Sequence, residues 1–294
     1  FQTFAVYPDS QFAYDVLVEG NTCDDFGQML MVSDNAGGDY VHHLTFRNNL
    51  FRGARAYAFQ GSQADYLILA NNVIAGSNYG GFGIGDSPHM TILNNIFYAN
   101  GGGAQVNDEA SKVGLVWDYN IHYPDFGWPP KQPEFDQHSL FGVDPRFVDP
   151  SSGDFHLRVN SPALDAGTAL SSFNYDKENV LRPQGAAWDI GAYELPPTLV
   201  LRGRPGDAKI YLDWTLNATD TVESWRIDYY TQTTTVLSET SILSPTRAYT
   251  LTELTNGDWY SVTLSAMMGD TVFIDDTVRV MPTDRFVYLP LVIK

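Results

Sequence analysis

Five stretches decide the fold: DVLVEGN (15–21), HLTFRNN (43–49), YLILANN (66–72), HMTILNN (89–95) and GLVWDYN (114–120). Each is an alternating apolar run that reaches an asparagine and then resumes with TC, LF, VI, IF or IH. Asn21, Asn49, Asn72, Asn95 and Asn120 therefore recur at intervals of 28, 23, 23 and 25 residues. A period in the low twenties built from short strands is that of a solenoid, whose coils stack one on the next. Val16, Leu44, Leu67, Met90 and Leu115 form one column, and Val18, Phe46, Leu69, Ile92 and Trp117 form the next. Strand alternation points both columns into the core and leaves Leu17, Thr45, Ile68, Thr91 and Val116 outside. The asparagine column falls where the strand bends. Asn tolerates left-handed backbone angles and hydrogen-bonds turn backbone, so a stacked ladder of Asn bridging successive coils is expected.

A second strand follows each copy, in QMLMVSD (28–34), AYAFQGS (56–62), GFGIGDS (81–87) and GAQVNDE (103–109). Glycines gather before it, at Gly80-Gly81 and Gly101-Gly102-Gly103, as tight corners require. The fold class is all-β, with a short right-handed parallel β-helix. Five coils at about 4.8 Å each give a rod of about 25 Å.

The 294 residues predict about two domains and ample chain to bury a core. No run reaches the roughly 18 apolar residues of a membrane span. The opening FQTFAVYPDS has neither a basic nor an apolar leader segment and reads as the start of a mature chain. Cys23 is the one cysteine, so no intrachain disulfide is expected. It aligns with Phe51, Ile74 and Phe97 and is expected to be a buried thiol. The formal charge is −18. Residues 1–195 carry 23 acidic and 9 basic side chains, and the remainder 12 and 8. Such a field repels nucleic acid and anionic polysaccharide. In the coils only Arg47, Arg52, Arg55 and Lys112 oppose it.

After the last coil the periodicity stops, and Pro124, Pro129, Pro130, Pro133, Pro145, Pro150, Pro162 and Pro183 follow. DPRFVDPSSGDFHLRVNSPALDAGT (144–168) and RPQGAAWDIGAYE (182–194) resemble the tail of bacterial surface right-handed parallel β-helix proteins of the choice-of-anchor type. The resemblance covers about residues 10–195. It implies a segment, about 123–195, that closes the C-terminal end of the helix and protects its open edge. Asp149, Asp154, Asp165, Asp176 and Asp189 are expected to cap turns beside Gly and Pro.

Residues 196–283 change texture again, to short alternating strands separated by turn signals, the pattern of an immunoglobulin-like β-sandwich. KIYLDW (209–214), SWRIDYY (224–230) and LTELTNGDWYSVTLSA (251–266) resemble a fibronectin type III domain. Leu254 and Tyr260 stand at its leucine and corner-tyrosine positions. The resemblance implies a spacer or binding module. Asn217-Ala218-Thr219 is a glycosylation sequon. Residues 284–294 form an apolar tail in which Val287, Tyr288, Leu289, Leu291 and Ile293 could pair with a neighbouring edge. Phe1, Phe4 and Val6 make the opposite end apolar too, without a polar cap. Both ends are expected to make contacts with another subunit, giving a homo-oligomer or filament.

Triad, metal-finger and phosphate-loop spacings are missing, and GGFGIG (80–85) lies in a coil without a following helix. The candidate chemistry is a column of turn residues: Asp34, Ser62, Asp86 and Asp108, with Asn107 and Glu109 beside it. Asp86, Asp108 and Glu109 are the candidate acid and base of a glycosidase. Asp34, Asp86 and Asp108 are the candidate calcium ligands. His42, His43 and His122 read as surface or packing residues. Tyr57, Phe59, Tyr79, Phe82 and Trp128 are the candidate aromatic contacts of a glycan. The leading expectation is a bacterial extracellular or cell-surface structural protein without a cofactor, assembling through its ends. The alternatives are a carbohydrate-active β-helix enzyme, either a lyase or a glycosidase, and a carbohydrate-binding adhesin.

Overall fold

The computed structural model describes residues 5–6, 14–27, 30–32, 41–106, 108–124, 136–217, 222–231 and 237–284. Every regular element among them is a β-strand. Among the described residues no helix is long and apolar enough to cross a membrane. The chain divides into two compact units, Phe1–Pro196 and Pro197–Lys294.

The first unit is a parallel β-solenoid with three sheets. Sheet A holds Ala5–Val6, Leu30–Val32, Phe59–Ser62, Phe82–Gly85 and Ala104–Gln105. Sheet B holds Tyr14–Glu19, Val41–Arg47, Ile68–Ala70, Thr91–Leu93 and Val116–Asp118. Sheet C holds Thr22–Asp24, Leu50–Arg52, Val73–Ala75, Ile96–Tyr98 and Ile121–Tyr123, with Leu140–Phe141 added at its end. The chain visits A, B and C in turn, and the register follows the aligned sequence copies. Thr91 faces Ile68 and Val116, and Ile74 faces Phe51 and Phe97. The inward columns make one core in which Leu44, Phe46, Phe59, Leu67, Leu69, Phe82, Met90 and Ile92 are wholly buried. The outward column is open, with Leu17 52% and Val116 46% exposed.

Between sheets B and C the asparagines do what the pattern implies, with a division of labour. The amide oxygen of Asn49 accepts from the backbone N–H of Asn21 at 2.9 Å, and Asn72, Asn95 and Asn120 repeat the contact for the coil before each. Ser139 Oγ ends the ladder by accepting from Asn120 N. The left-handed backbone belongs to the preceding residue, not to the ladder asparagine: Gly20, Asn48, Asn71, Asn94 and Tyr119 have φ of 69°, 55°, 51°, 57° and 56°.

That second column anchors the segment that follows the coils. Asn94 Nδ2 donates to Thr168 O, Asn71 Nδ2 to Asp189 O, and Asn48 Nδ2 to Tyr175 O. Lys177 Nζ donates to Gly20 O at 2.6 Å. The segment thus runs down the flank of the solenoid from Asn94 to Gly20 and returns past Asn71 to Asn94, where Gly191 N donates to Asn94 O. Phe147, Phe155, Leu157, Ala163, Ile190 and Ala192 pack on the outer residues Leu50, Val73, Ile96 and Ile121 of sheet C. Among the described residues, Leu140–Phe141 extends the last edge of sheet C and Ser139 ends the asparagine ladder, while the rest of the segment covers the flank. Sheet C has outward residues as apolar as its inward ones, so it must be covered on both faces. The acids of this segment are turn caps. Asp176 accepts from Glu178, Val180 and Glu194 N–H, Asp189 from Asp165 and Leu195, and Asp165 from Ala187. A buried Arg182–Glu194 pair at 2.5 Å lies at their centre.

In the second unit, Thr198–Gly206, Lys209–Asn217 and Ala248–Leu251 form one antiparallel sheet. Leu237–Leu243, Ser224–Tyr230, Tyr260–Met268 and Thr271–Val280 form a second, in that order. Both sheets feed one core centred on Trp214 and Trp225, whose rings are 5.3 Å apart. Tyr260 Oη accepts from Thr255 N at 3.0 Å, next to buried Leu254.

Candidate functional site

Sheet A has an aromatic border where the chain enters from sheet C and an acidic border where it leaves for sheet B. On the first, Tyr57 and Tyr79 stack with centroids 6.2 Å apart and planes 27° from parallel. Tyr79 is 64% exposed. Phe59 and Phe82 were expected beside them as ligand contacts, but strand alternation turns both inward and they are 0% exposed. They are core residues. Trp128 lies outside the described residues.

On the acidic border the register corrects the expected column. Ser62 pairs with Gly85, so Gln63, not Ser62, precedes Asp86. Asp108 is committed to its own turn: Oδ1 accepts from Ser111 N and Oδ2 from Ser111 Oγ, both at 2.8 Å. Burial pushes its carboxyl up, but these bonds and the Asp86 amide outweigh burial and hold it below the usual carboxylate value. Ser111 Oγ in turn accepts from Ser87 N, and Ser87 Oγ from Ala64 N, so Asp108 ends a short serine ladder between coils. Glu109 is 89% exposed and pairs with Lys112 at 2.8 Å. Asp86 is exposed at φ 45°. Asp34 lies outside the described residues.

Two further clusters were not expected from the sequence. The first residue of each repeat copy, namely Asp15, His43, Tyr66, His89 and Gly114, has φ between 55° and 65°. Tyr66 stacks on His89 at 4.7 Å and lies 5.1 Å from His43. Asp65 bridges two imidazoles, at 2.8 Å from His89 Nδ1 and 3.4 Å from His42 Nδ1. The signal was visible in the leading letters D, H, Y, H and G of the copies, although no spacing rule assigns them a role. The other cluster ends the coil stack. Asp118 accepts from His138 N and His138 Nδ1, each at 2.6 Å, and His138 stacks on Tyr119 at 4.4 Å. Nearby, burial pushes Asp136 up to about 6, the Asp118 charge adds to the rise, and Ser139 opposes it.

Of the residues expected at the ends, Val6 lies in Ala5–Val6 and pairs in register with Val32. Phe1, Phe4, Val287, Tyr288, Leu289, Leu291 and Ile293 lie outside the described residues. Cys23 is half-buried beside Phe51, and burial raises its thiol pKa.

The profile of the family described as periplasmic copper-binding protein (NosD) matches residues 10–118. That stretch is the solenoid without its flanking segment or the second unit. No curated protein matches the chain. The residues described here do not fit a copper centre. Among them no group of three or more His, Cys, Asp or Glu could hold a metal ion. The nearest histidines point Nδ1 at carboxylates, His42 and His89 at the shared Asp65 and His43 at Asp15. The same finding leaves the calcium expectation without a ligand set among the described residues.

Proposed function

We propose that this is a bacterial structural protein acting outside the cytoplasm, built to join other copies through the first coil of its solenoid. The observation that carries the reading is the state of that coil. Val16, Val18 and Cys23 occupy core columns but are only partly buried, while Leu44, Phe46 and Phe51 one coil further in are 0% exposed. Tyr14–Glu19 is also the terminal strand of sheet B, with one edge unpaired by any other described strand. An apolar coil end with an open edge is completed by another strand. A contact of that kind between first and last coils does not close on itself and gives filaments.

The word periplasmic in the matching family's description supports a location beyond the cytoplasmic membrane. The motifs of residues 144–194 support an anchored surface protein. The three-plus-four strand order and the Tyr260 corner support a fibronectin type III spacer. Size-exclusion chromatography with light scattering, followed by negative-stain microscopy, tests the assembly. The full chain is expected to form concentration-dependent oligomers or fibres that Val16→Lys with Val18→Lys abolishes. A chain ending at Asp284 separates the contribution of the tail. A monodisperse monomer at every concentration would sink the reading.

A further inference from the structure

We propose that Tyr57 and Tyr79 form a docking shelf for an uncharged oligosaccharide on the border of sheet A. This inference does not rest on the assembly reading. Tyr57 is held in place by the main chain of the next coil: a Cβ on Gly80 would come within 2.6 Å of its Cε1, and one on Gly83 within 3.3 Å. Tyr79 stacks on this fixed ring and is 64% exposed. Its ring is backed by a second ring, so little side-chain freedom is lost when a ligand covers it.

Beyond Tyr79 the following coil presents Gly101 and Gly102, which carry no side chains. The surface steps down to bare backbone beside the ring. The step is fixed by the stacking of the coils, since a methyl group on Gly101 would overlap the Asn78 carbonyl and one on Gly102 would lie 2.5 Å from Tyr79 O. In the register of sheet A, Gly83 lies beneath the Tyr57 ring and between Gln60 and Gln105, so amide-bearing residues border the glycine positions.

The ligand class follows from this combination. The C–H face of a pyranose carries partial positive charge and meets the negative face of an aromatic ring, while its hydroxyl edges need backbone and amide partners. A purely apolar partner would want a contiguous apolar patch of several hundred Å². Here a ring gives way directly to polar backbone. A net charge of −18 disfavours a uronate or sulfated chain, so the sugar is neutral.

Affinity electrophoresis of the full chain in gels containing galactomannan, xyloglucan or mixed-linkage β-glucan tests this, with polygalacturonate as the anionic counterpart. Retardation is expected in at least one neutral gel. Tyr79→Ala should weaken it about tenfold. Tyr57→Ala should weaken it similarly, while Trp259→Ala, which removes an exposed ring from the second unit, should leave it unchanged. Circular dichroism of Tyr79→Ala confirms the fold. Free migration in all three neutral gels would overturn the proposal. So would retardation that survives Tyr79→Ala, or retardation confined to polygalacturonate.

Discussion

Asn72 engages both polar atoms of its side chain. Nδ2 donates to Phe46 O, Ala70 O and Asn95 Oδ1, and Oδ1 accepts from the backbone and side-chain N–H of Asn49. Asn72→Ala leaves several buried partners unmet and is expected to cost about 3 kcal/mol in urea unfolding. Asn21→Ala, at the exposed first rung, should cost about 1 kcal/mol or less by the same measure. The ladder was legible because its period is written in the sequence. The role of Asn71 was not, because its acceptors on Asp189 and Gly191 lie 118 and 120 residues away and share no period with it. Asp136 was equally hidden, since its burial depends on the close of the coil stack. Its folded pKa is raised to about 6 from an ordinary value of 3.8. The neutral acid therefore favours the folded state, a contribution present below the unfolded pKa and lost as pH rises through the folded one. Thermal stability should fall between about pH 4 and pH 6 from this group. Asp136→Asn is expected to flatten that part of the profile, measured as Tm against pH.

At the scale of elements, the strands of the three sheets were readable from alternation, and their register from aligning the copies. The one-residue slip at Ser62 arose because no apolar column fixes the count at the corner, although the offset between the two coils stays at 23 residues there. The glycine corners make the coupling between coils testable. Gly101→Ala drives a methyl group into the Asn78 carbonyl and is expected to cost about 2 kcal/mol, seen as a lowered urea midpoint. Gly257→Ala, where a Cβ would meet nothing within 4 Å, should cost about 1 kcal/mol from its positive φ of 90° alone. The course of residues 144–194 could not be read in the same way. Its motifs describe turns, and turns say how a segment folds locally without saying which face of a neighbour it covers.

For the molecule as a whole, the two compact units each have their own core. Trp214→Ala opens a void in the second core and is expected to lower the stability of that unit by about 4 kcal/mol. Scanning calorimetry should show the corresponding transition moving while the solenoid transition keeps its place. The flank of the solenoid carries a different lesson. Between Thr168 and Lys177 the chain passes from Asn94 to Gly20, and Asp189 meets Asn71 on the way back, so one stretch of chain ties the fourth coil to the first. A solenoid held only by nearest neighbours tolerates an extra coil or a missing one. Here the spanning stretch acts as a ruler cut to one length. Duplicating a coil would leave its last anchor short of the first turn, and deleting one would leave slack to be folded away. The number of coils is in this way proofread by a part of the chain that belongs to none of them.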